Sequence, residues 1–581
     1  MINRSRILAG FAAGSLLVSA DQLQAKPRIQ VLGLEDAALM TNVDLSVPQI
    51  AFGCDASTAQ ARRYLRSASE AAERALQALG HFNAEIEQRV EFKDGCIVPI
   101  LEIDAGPPTY LTEVELDIPQ ALLDFQAISD FIANNTPKVD APLVQREYDQ
   151  LRDGIRDRAH RLGYLDARYS KAQLRVDPET QTAKIILVME AGERYRFGEI
   201  QIIQDILRPS LASSLAGVAP GDDYTSSRLL QINRNLGSTD YFRAVTVRPM
   251  LEQRADHQVP IQVQTTVNPR TTYEFRAGYG TDTGPRVGAR MIRRYINKRG
   301  HNIDARTSVS QVSQRIEAAY SMPRSSDPLF QKYDIYARAN REDNNNIETL
   351  SSAVGAQWAV ERERWSTSLF TEYLLERSKY GREPAETNNF LLLGARASRT
   401  EVDDPLFPTH GMVLSTSIQG AAEEIASSTS LIRGTAFAGF YLPLGDFIFK
   451  VRGEGGAVVS NGFDKVPKSL RFFAGGDNSV RGYDFESLAP KNANGQLVGG
   501  QYKVVGSFEA MYPVVGDDWF IAGFVDTGNA FDDVKDMDLH TGTGMGVRWR
   551  SPIGQVRFDI GVPLTGDANN ITFHIGIGAD F

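Results

Sequence analysis

The chain has 581 residues, too many for one ordinary domain, and its 42% hydrophobic and 23% charged residues exclude a disordered protein and point to several ordered domains. A net charge of −10 gives no global attraction for nucleic acid, so basic stretches such as residues 286–299 are read locally. Two cysteines are too few for a cysteine-rich zinc site.

Arg4 and Arg6 precede an apolar run at residues 7–17 and the small-residue step Val18-Ser19-Ala20. This is the pattern of a secretory signal peptide, residues 1–25, cut after Ala20 or Ala25. Its apolar core is too short to span a bilayer, and no other run of about 18 apolar residues follows. An exported chain can still span a membrane as a closed barrel, where every backbone polar group is satisfied between strands. Export also exposes Cys54 and Cys96 to oxidation; a disulfide between them, closing a loop worth about 4 kcal/mol in the chain-entropy model, is favoured over two buried thiols.

A helix ending in a Gly-aromatic step and running into a strand occurs at Leu79-Gly80-His81-Phe82, at Leu162-Gly163-Tyr164-Leu165 and, more loosely, at Gly237-Ser238-Thr239-Asp240-Tyr241. The spacing of roughly 80 residues suits a small α/β module rather than a solenoid repeat. Gly80 and Gly163 stand where a left-handed helix cap is needed. Gly106-Pro107-Pro108-Thr109-Tyr110 and Gly192-Glu193-Arg194-Tyr195-Arg196-Phe197-Gly198 open the second and third copies, and alternating runs at 182–189 and 261–267 close them. Each copy is expected to be strand, two helices, two strands, over residues 27–105, 107–191 and 193–268. These units resemble POTRA domains, the periplasmic modules that precede certain outer-membrane barrels. The resemblance implies binding of clients or partners by adding a strand to a sheet edge; generic α+β modules without a binding role are the alternative.

From about residue 271 the period changes to two. Tyr273, Phe275, Ala277 and Tyr279 share one face, opposite Glu274, Arg276 and Gly278; Met545, Val547 and Trp549 alternate with Gly546, Arg548 and Arg550; Val556, Phe558 and Ile560 alternate with Arg557 and Asp559. The last run places Ile571, Phe573, Ile575, Ile577, Ala579 and Phe581 on one side and Thr572, His574, Gly576, Gly578 and Asp580 on the other. A soluble sandwich alternates too, so length decides: residues 571–581 rise roughly 28 Å at a tilt of about 40°, enough for the ~25 Å apolar band of a membrane barrel. Residues 269–581 therefore predict an all-β transmembrane barrel of about 16 antiparallel strands.

One loop in that barrel presents a single fixed cation: Phe473-Ala474-Gly475-Gly476-Asp477-Asn478-Ser479-Val480-Arg481-Gly482-Tyr483. A guanidinium offers five donors in a rigid fork and cannot be neutralised. Glu509, between Phe508 and Ala510, and Asp526, after Val525, fall on the inward phase of two strands. Arg481 inserted between them would offset their burial, and removing one member of such a group costs about 3–5 kcal/mol. Three separately hydrated lumenal charges are the alternative.

Val480-Arg481-Gly482-Tyr483, the Glu509 and Asp526 strands, Thr543-Gly544-Met545-Gly546-Val547-Arg548-Trp549-Arg550-Ser551-Pro552-Ile553-Gly554 and Asp403-Asp404-Pro405-Leu406-Phe407-Pro408-Thr409-His410-Gly411 are similar to motifs of the outer-membrane insertase superfamily that includes BamA and TamA. Three modules, with 192–198 and 470–477, resemble its TamA branch. The resemblance implies an extracellular loop folded into the lumen and anchored by Val480, Arg481, Gly482 and Tyr483, with Glu509 and Asp526 as its carboxylate partners. It implies an outer-membrane assembly factor with periplasmic modules, working with a TamB-like inner-membrane-anchored partner on unfolded barrel clients such as autotransporters, and a link to lipid movement between membranes. Terminal Phe581 resembles the recognition signal of outer-membrane barrels. Gly576 and Gly578 would weaken the last strand, so its seam with the first strand at Tyr273 and Phe275 is expected to be held by few bonds. A two-partner secretion pore, expected to carry two modules and a plugging helix, and a passive porin are the alternatives. The seven histidines form no H-E-x-x-H pair, no G-x-S-x-G elbow occurs, and the glycines at 542–546 lie in a strand without the helix of a phosphate loop, so neither an enzyme nor a cofactor or metal is expected. Asp403 and Asp404 suit a turn better than a cation site.

Overall fold

Three times between residues 27 and 268 the chain lays down a strand, helices and a returning hairpin. In the computed structural model, which describes residues 27–552, 554–565 and 571–577, each module has a three-stranded sheet with its last strand in the centre. The signal-peptide sites Ala20 and Ala25, together with Ile553, Gly578 and Phe581, lie outside the described residues.

In the first module Cys96–Asp104 lies parallel to Gln30–Leu32 and antiparallel to Glu85–Lys93. Its helix Thr58–Gln77 opens with a reciprocal cap between Ser57 and Gln60, which satisfies two otherwise orphaned N–H groups. Ala61, Leu65, Ala68, Ala72 and Leu76 recur at helical spacing and form the buried face, packed on Leu101 and Ile103 of the central strand. A Cys54–Cys96 disulfide ties the segment before that helix to the start of the central strand.

The helix is followed by Gly80 at φ 89°. A Cβ there would sit 2.6 Å from the Leu143 carbonyl of the second module, so glycine is needed for the close approach as well as for the cap. The second module repeats the plan with Thr182–Glu190 central, around Leu111, Ile128, Leu151, Ile155, Ile185 and Leu187. It adds the one-turn helix Gln120–Leu123, too short to show a sequence period. In the third module Gly237 ends the helix Ser226–Gly237 without a left-handed φ, the physical form of the looser third copy.

Most of the third module belongs to one compact unit with the barrel, and the first two modules to another. Within the former, Tyr241 is 8% exposed and its hydroxyl donates to the Gly300 carbonyl at 2.5 Å in the turn after the second barrel strand. Burial, with the nearby charge of Asp240, pushes the Tyr241 phenol up to about 12.

Sixteen strands, from Thr271–Gly280 to Thr572–Ile577, run in chain order and close into a barrel, each antiparallel to its neighbours. Phe275 is 81% and Met545 70% exposed, whereas Arg548 and Asp559 are 1% exposed. Apolar side chains thus point outward and charged ones inward, the reverse of a soluble core. The longest strands are Ile347–Arg362, Trp365–Tyr380 and Glu386–Val402. Among the described residues no helix is long and apolar enough to cross a membrane.

Candidate functional site

Residues 461–501 connect the strands Phe447–Ser460 and Tyr502–Val515 and pack into the barrel. Val480 is fully buried among Ala474, Tyr483, Leu488 and Val505. Gly482 has φ 99°, and a Cβ there would lie 3.1 Å from both Val562 C and Pro563 N on the strand Gly554–Pro563. Only glycine combines that conformation with that approach. The wall is cleared on the other side as well, since a Cβ on Gly542 would collide with the Arg481 carbonyl.

Arg481 is thereby aimed at two strands at once. Its Nε and Nη2 donate to Asp526 Oδ2 and Oδ1 at 2.7 and 3.0 Å, its backbone N–H to the same carboxylate at 3.1 Å, and its Nη1 to Glu509 Oε2 at 2.6 Å. The guanidinium lies 3.6 Å from the centroid of the Phe524 ring, a cation–π contact that fills its remaining face. Ser507 Oγ donates a further 2.6 Å bond to Asp526. Tyr483 Oη donates to the Thr565 carbonyl at 2.6 Å, fixing the other end of the motif.

A second guanidinium completes the cluster. Arg548 Nε and Nη2 donate to Glu509 at 3.1 and 2.9 Å, and its Nη1 to Asp559 Oδ1 at 2.5 Å; Asp559 also lies 3.4 Å from Arg481 Nη1. Two guanidiniums and three carboxylates, none more than 5% exposed, are thus joined in one network. The alternation places Arg548 and Asp559 inward but does not show that they join Arg481 through shared carboxylates.

A second group, also missed, joins the loop to the barrel closure. Asp477 accepts from Thr281 Oγ1 at 2.9 Å and from His574 Nδ1 at 2.5 Å, and its backbone N–H donates to Asp282 Oδ2 at 2.7 Å. Gly482 N–H donates to His574 Nε2 at 3.1 Å, which makes Nδ1 the protonated nitrogen. Asp282, Asp477 and His574 bring potential metal ligands within 4.8 Å of one another, but both imidazole nitrogens already serve protein partners. One aspartate of the loop therefore grips the hairpin after the first strand and the side chain of the last.

At the closure itself, Tyr279 pairs with Ile577 and Gly280 with Gly576. Tyr273 and Phe275 pair with Met291 and Ala289 of the second strand; among the described residues the last strand does not reach them. Asp403 and Asp404 do turn work. Asp403 Oδ1 accepts from the Thr409 and His410 N–H groups at 2.9 and 3.0 Å, and Asp404 pairs with Arg550 at 2.8 Å. The turn buries Phe407 against Phe520, with ring centroids 5.1 Å apart.

Residues 296–581 match the Omp85 superfamily domain, and residues 28–105 match domain 1 of the TamA POTRA domains. The outer membrane protein assembly factor BamA of Nitratidesulfovibrio vulgaris is 24% identical over 388 residues, covering 63% of this chain and 48% of that protein. BamA of Neisseria meningitidis serogroup B is 24% identical over 479 residues, covering 70% and 59%. The chain thus spans less than two thirds of the length of either relative. In fold it is similar to BamA from Haemophilus ducreyi lacking POTRA domains 1–3, with a TM-score of 0.67 at 17% identity, covering 81% of this chain and 99% of that one. Residues 296–581, which carry the buried Arg481 network, thus match the Omp85 superfamily domain, and the chain joins an outer-membrane β-barrel to a periplasmic POTRA-like region whose first module matches the TamA type.

Proposed function

We propose that the chain is an outer-membrane assembly factor of the TamA type, which receives unfolded barrel clients, autotransporters among them, and passes them into the membrane through its own closure. A TamB-like inner-membrane-anchored protein is its partner, docked on the modules. The match of the first module to the TamA type and the presence of three modules support this branch.

The observation that carries the reading is the closure. There the first strand, Thr271–Gly280, meets the last through Tyr279 and Gly280, opposite Ile577 and Gly576, and through Thr281 against Ile575, and the loop residue Asp477 holds both sides. Backbone groups of a strand edge left without partners are a template for another strand. A client strand added at such an edge exchanges its hydration for the ladder bonds that the closure gives up on opening. Asp477 spans that closure, so the position of the loop and the state of the seam are mechanically linked.

Cysteines replacing Tyr279 and Ile577, which stand opposite each other, test this. Oxidation is expected to stop client insertion and reduction to restore it; undiminished insertion by the oxidised protein would remove the seam from the mechanism. The partner is tested separately by affinity capture from solubilised envelopes, where an inner-membrane-anchored protein is expected with the full chain and not with one lacking residues 27–268.

A further inference from the structure

At the periplasmic end of the barrel, where Tyr241 meets Gly300, one side of the lipid-facing surface joins cations to aromatic rings. Register fixes which residues face outward there. Arg362 stands opposite Trp365, and Trp365 opposite Arg399, on the same face as exposed Leu369 and Leu393. The guanidiniums of Arg324, Arg362 and Arg399 lie 5.6, 5.8 and 5.7 Å from the ring centroids of Trp358, Phe330 and Trp365. Aromatic rings of a membrane barrel sit at the level of the lipid headgroups. An arginine stacked on one holds its charge at that depth.

Carboxylates on this side do not balance the cations. Asp327 pairs with Arg362 at 3.1 Å, and Glu401 pairs with Arg399 at 2.9 Å and with Arg364. Arg324 forms no ion pair among the described residues, and neither does Arg293, which faces outward opposite Thr271 and Ile303. Lys298 and Arg299 are exposed in the turn that follows Arg293 and are likewise without an ion pair among the described residues. With Glu363 counted, positive charge remains in excess.

Farther round the same rim the sign reverses. The turns at 445–446 and 516–518 expose Asp446, Asp517 and Asp518 and contain no cation, beside the outward rings of Phe447, Trp519 and Trp549. Arg550, at the end of its strand, is held by Asp404 at 2.8 Å. Aromatic rings thus line both sides while charge divides them.

A zwitterionic headgroup brings its own ammonium to such a surface, whereas an anionic one brings only phosphate oxygens, which suit guanidiniums left with spare donors. We propose that the side of the rim from Arg293 to Arg399 selects anionic phospholipids of the periplasmic leaflet, and that the side from Asp446 to Trp549 does not. The inference uses the placement of the barrel in the outer membrane and is independent of the assembly reading.

The chain has four tryptophans, and they divide between the two sides: Trp358 and Trp365 on the basic one, Trp519 and Trp549 on the acidic one. The full chain is reconstituted at low salt into phosphatidylcholine vesicles containing a fraction of brominated phosphatidylglycerol or, in parallel, of brominated phosphatidylcholine, and quenching of tryptophan fluorescence is read. With Trp519→Phe and Trp549→Phe, the remaining pair is expected to report an association constant about fivefold higher for phosphatidylglycerol than for phosphatidylcholine. With Trp358→Phe and Trp365→Phe, no such preference is expected. Arg324→Gln with Arg362→Gln in the first background should lower the preference to about twofold or less. Retained strand circular dichroism establishes that each variant is folded; the comparison of the two tryptophan backgrounds changes no charge and decides if the arginine variant does not fold. Equal quenching by the two lipids in the first background, the same preference in both backgrounds, or an undiminished preference in the folded arginine variant overturns the proposal.

Discussion

Arg481 is held by three carboxylates and an aromatic face, and no other residue type can replace it there. Arg481→Ala leaves Asp526, Glu509 and Asp559 with Arg548 as their remaining guanidinium in the network, so loop docking is expected to weaken by about 3–5 kcal/mol. Arg481→Lys should rescue little, because an ammonium cannot make the paired bond to Asp526. The rate at which a protease cleaves residues 461–501 in the folded barrel measures both. Asp477→Ala removes the acceptor shared by Thr281 and His574 without altering any residue of the Arg481 network. Amide exchange at Tyr279 and Gly280 is expected to accelerate by the equivalent of about 1–3 kcal/mol, and unchanged exchange would show that the seam does not depend on the loop. Glu509 and Asp526 were legible because a period of two fixes which side chains face inward, and Arg481 because it is the single fixed cation of a glycine-rich loop. Arg548 and Asp559 were on the correct face too, but their meeting with Glu509 depends on register across several strands, which local pattern does not carry. Asp282 and His574 were harder still: one lies in a hairpin turn and the other on the last strand, about 290 residues away in sequence.

At the scale of elements, the helix Thr58–Gln77 and the glycine after it were legible because cap, apolar spacing and left-handed glycine agree. The one-turn helix Gln120–Leu123 was not, since four residues hold barely one period. The junction between the third module and the barrel was also silent in sequence: nothing near Tyr241 indicates that its hydroxyl meets the Gly300 carbonyl. Tyr241→Phe is expected to cost about 1 kcal/mol. Its pH dependence has a definite sign. The folded phenol titrates at about 12 against 10.0 for the free group, so the stability it contributes is fully present below pH 10 and is lost as pH rises through 12. Melting of the wild type should therefore fall between pH 10 and 12 more steeply than that of Tyr241→Phe.

At the scale of the whole molecule, alternation and strand length were enough to give a barrel of about sixteen strands, but not the extent of its closure, because the last strand pairs by register and not by composition. The loop reaches that closure through Asp477 and the adjoining wall of the last strands through Arg481, only four residues apart in sequence. Such a short segment cannot leave one site and stay fully docked at the other. If the loop moves as one body, Arg481→Ala and Asp477→Ala remove the same docking event. Their combined effect on lumenal conductance in planar bilayers should then fall short of the sum of the singles, with a coupling of about 0.5–3 kcal/mol in the opening equilibrium. Simple additivity would mean that the Arg481 network holds the loop while Asp477 independently holds the seam, and control of the closure by the loop would no longer follow. A less-than-additive result makes the loop the element through which the lumen and the seam open together.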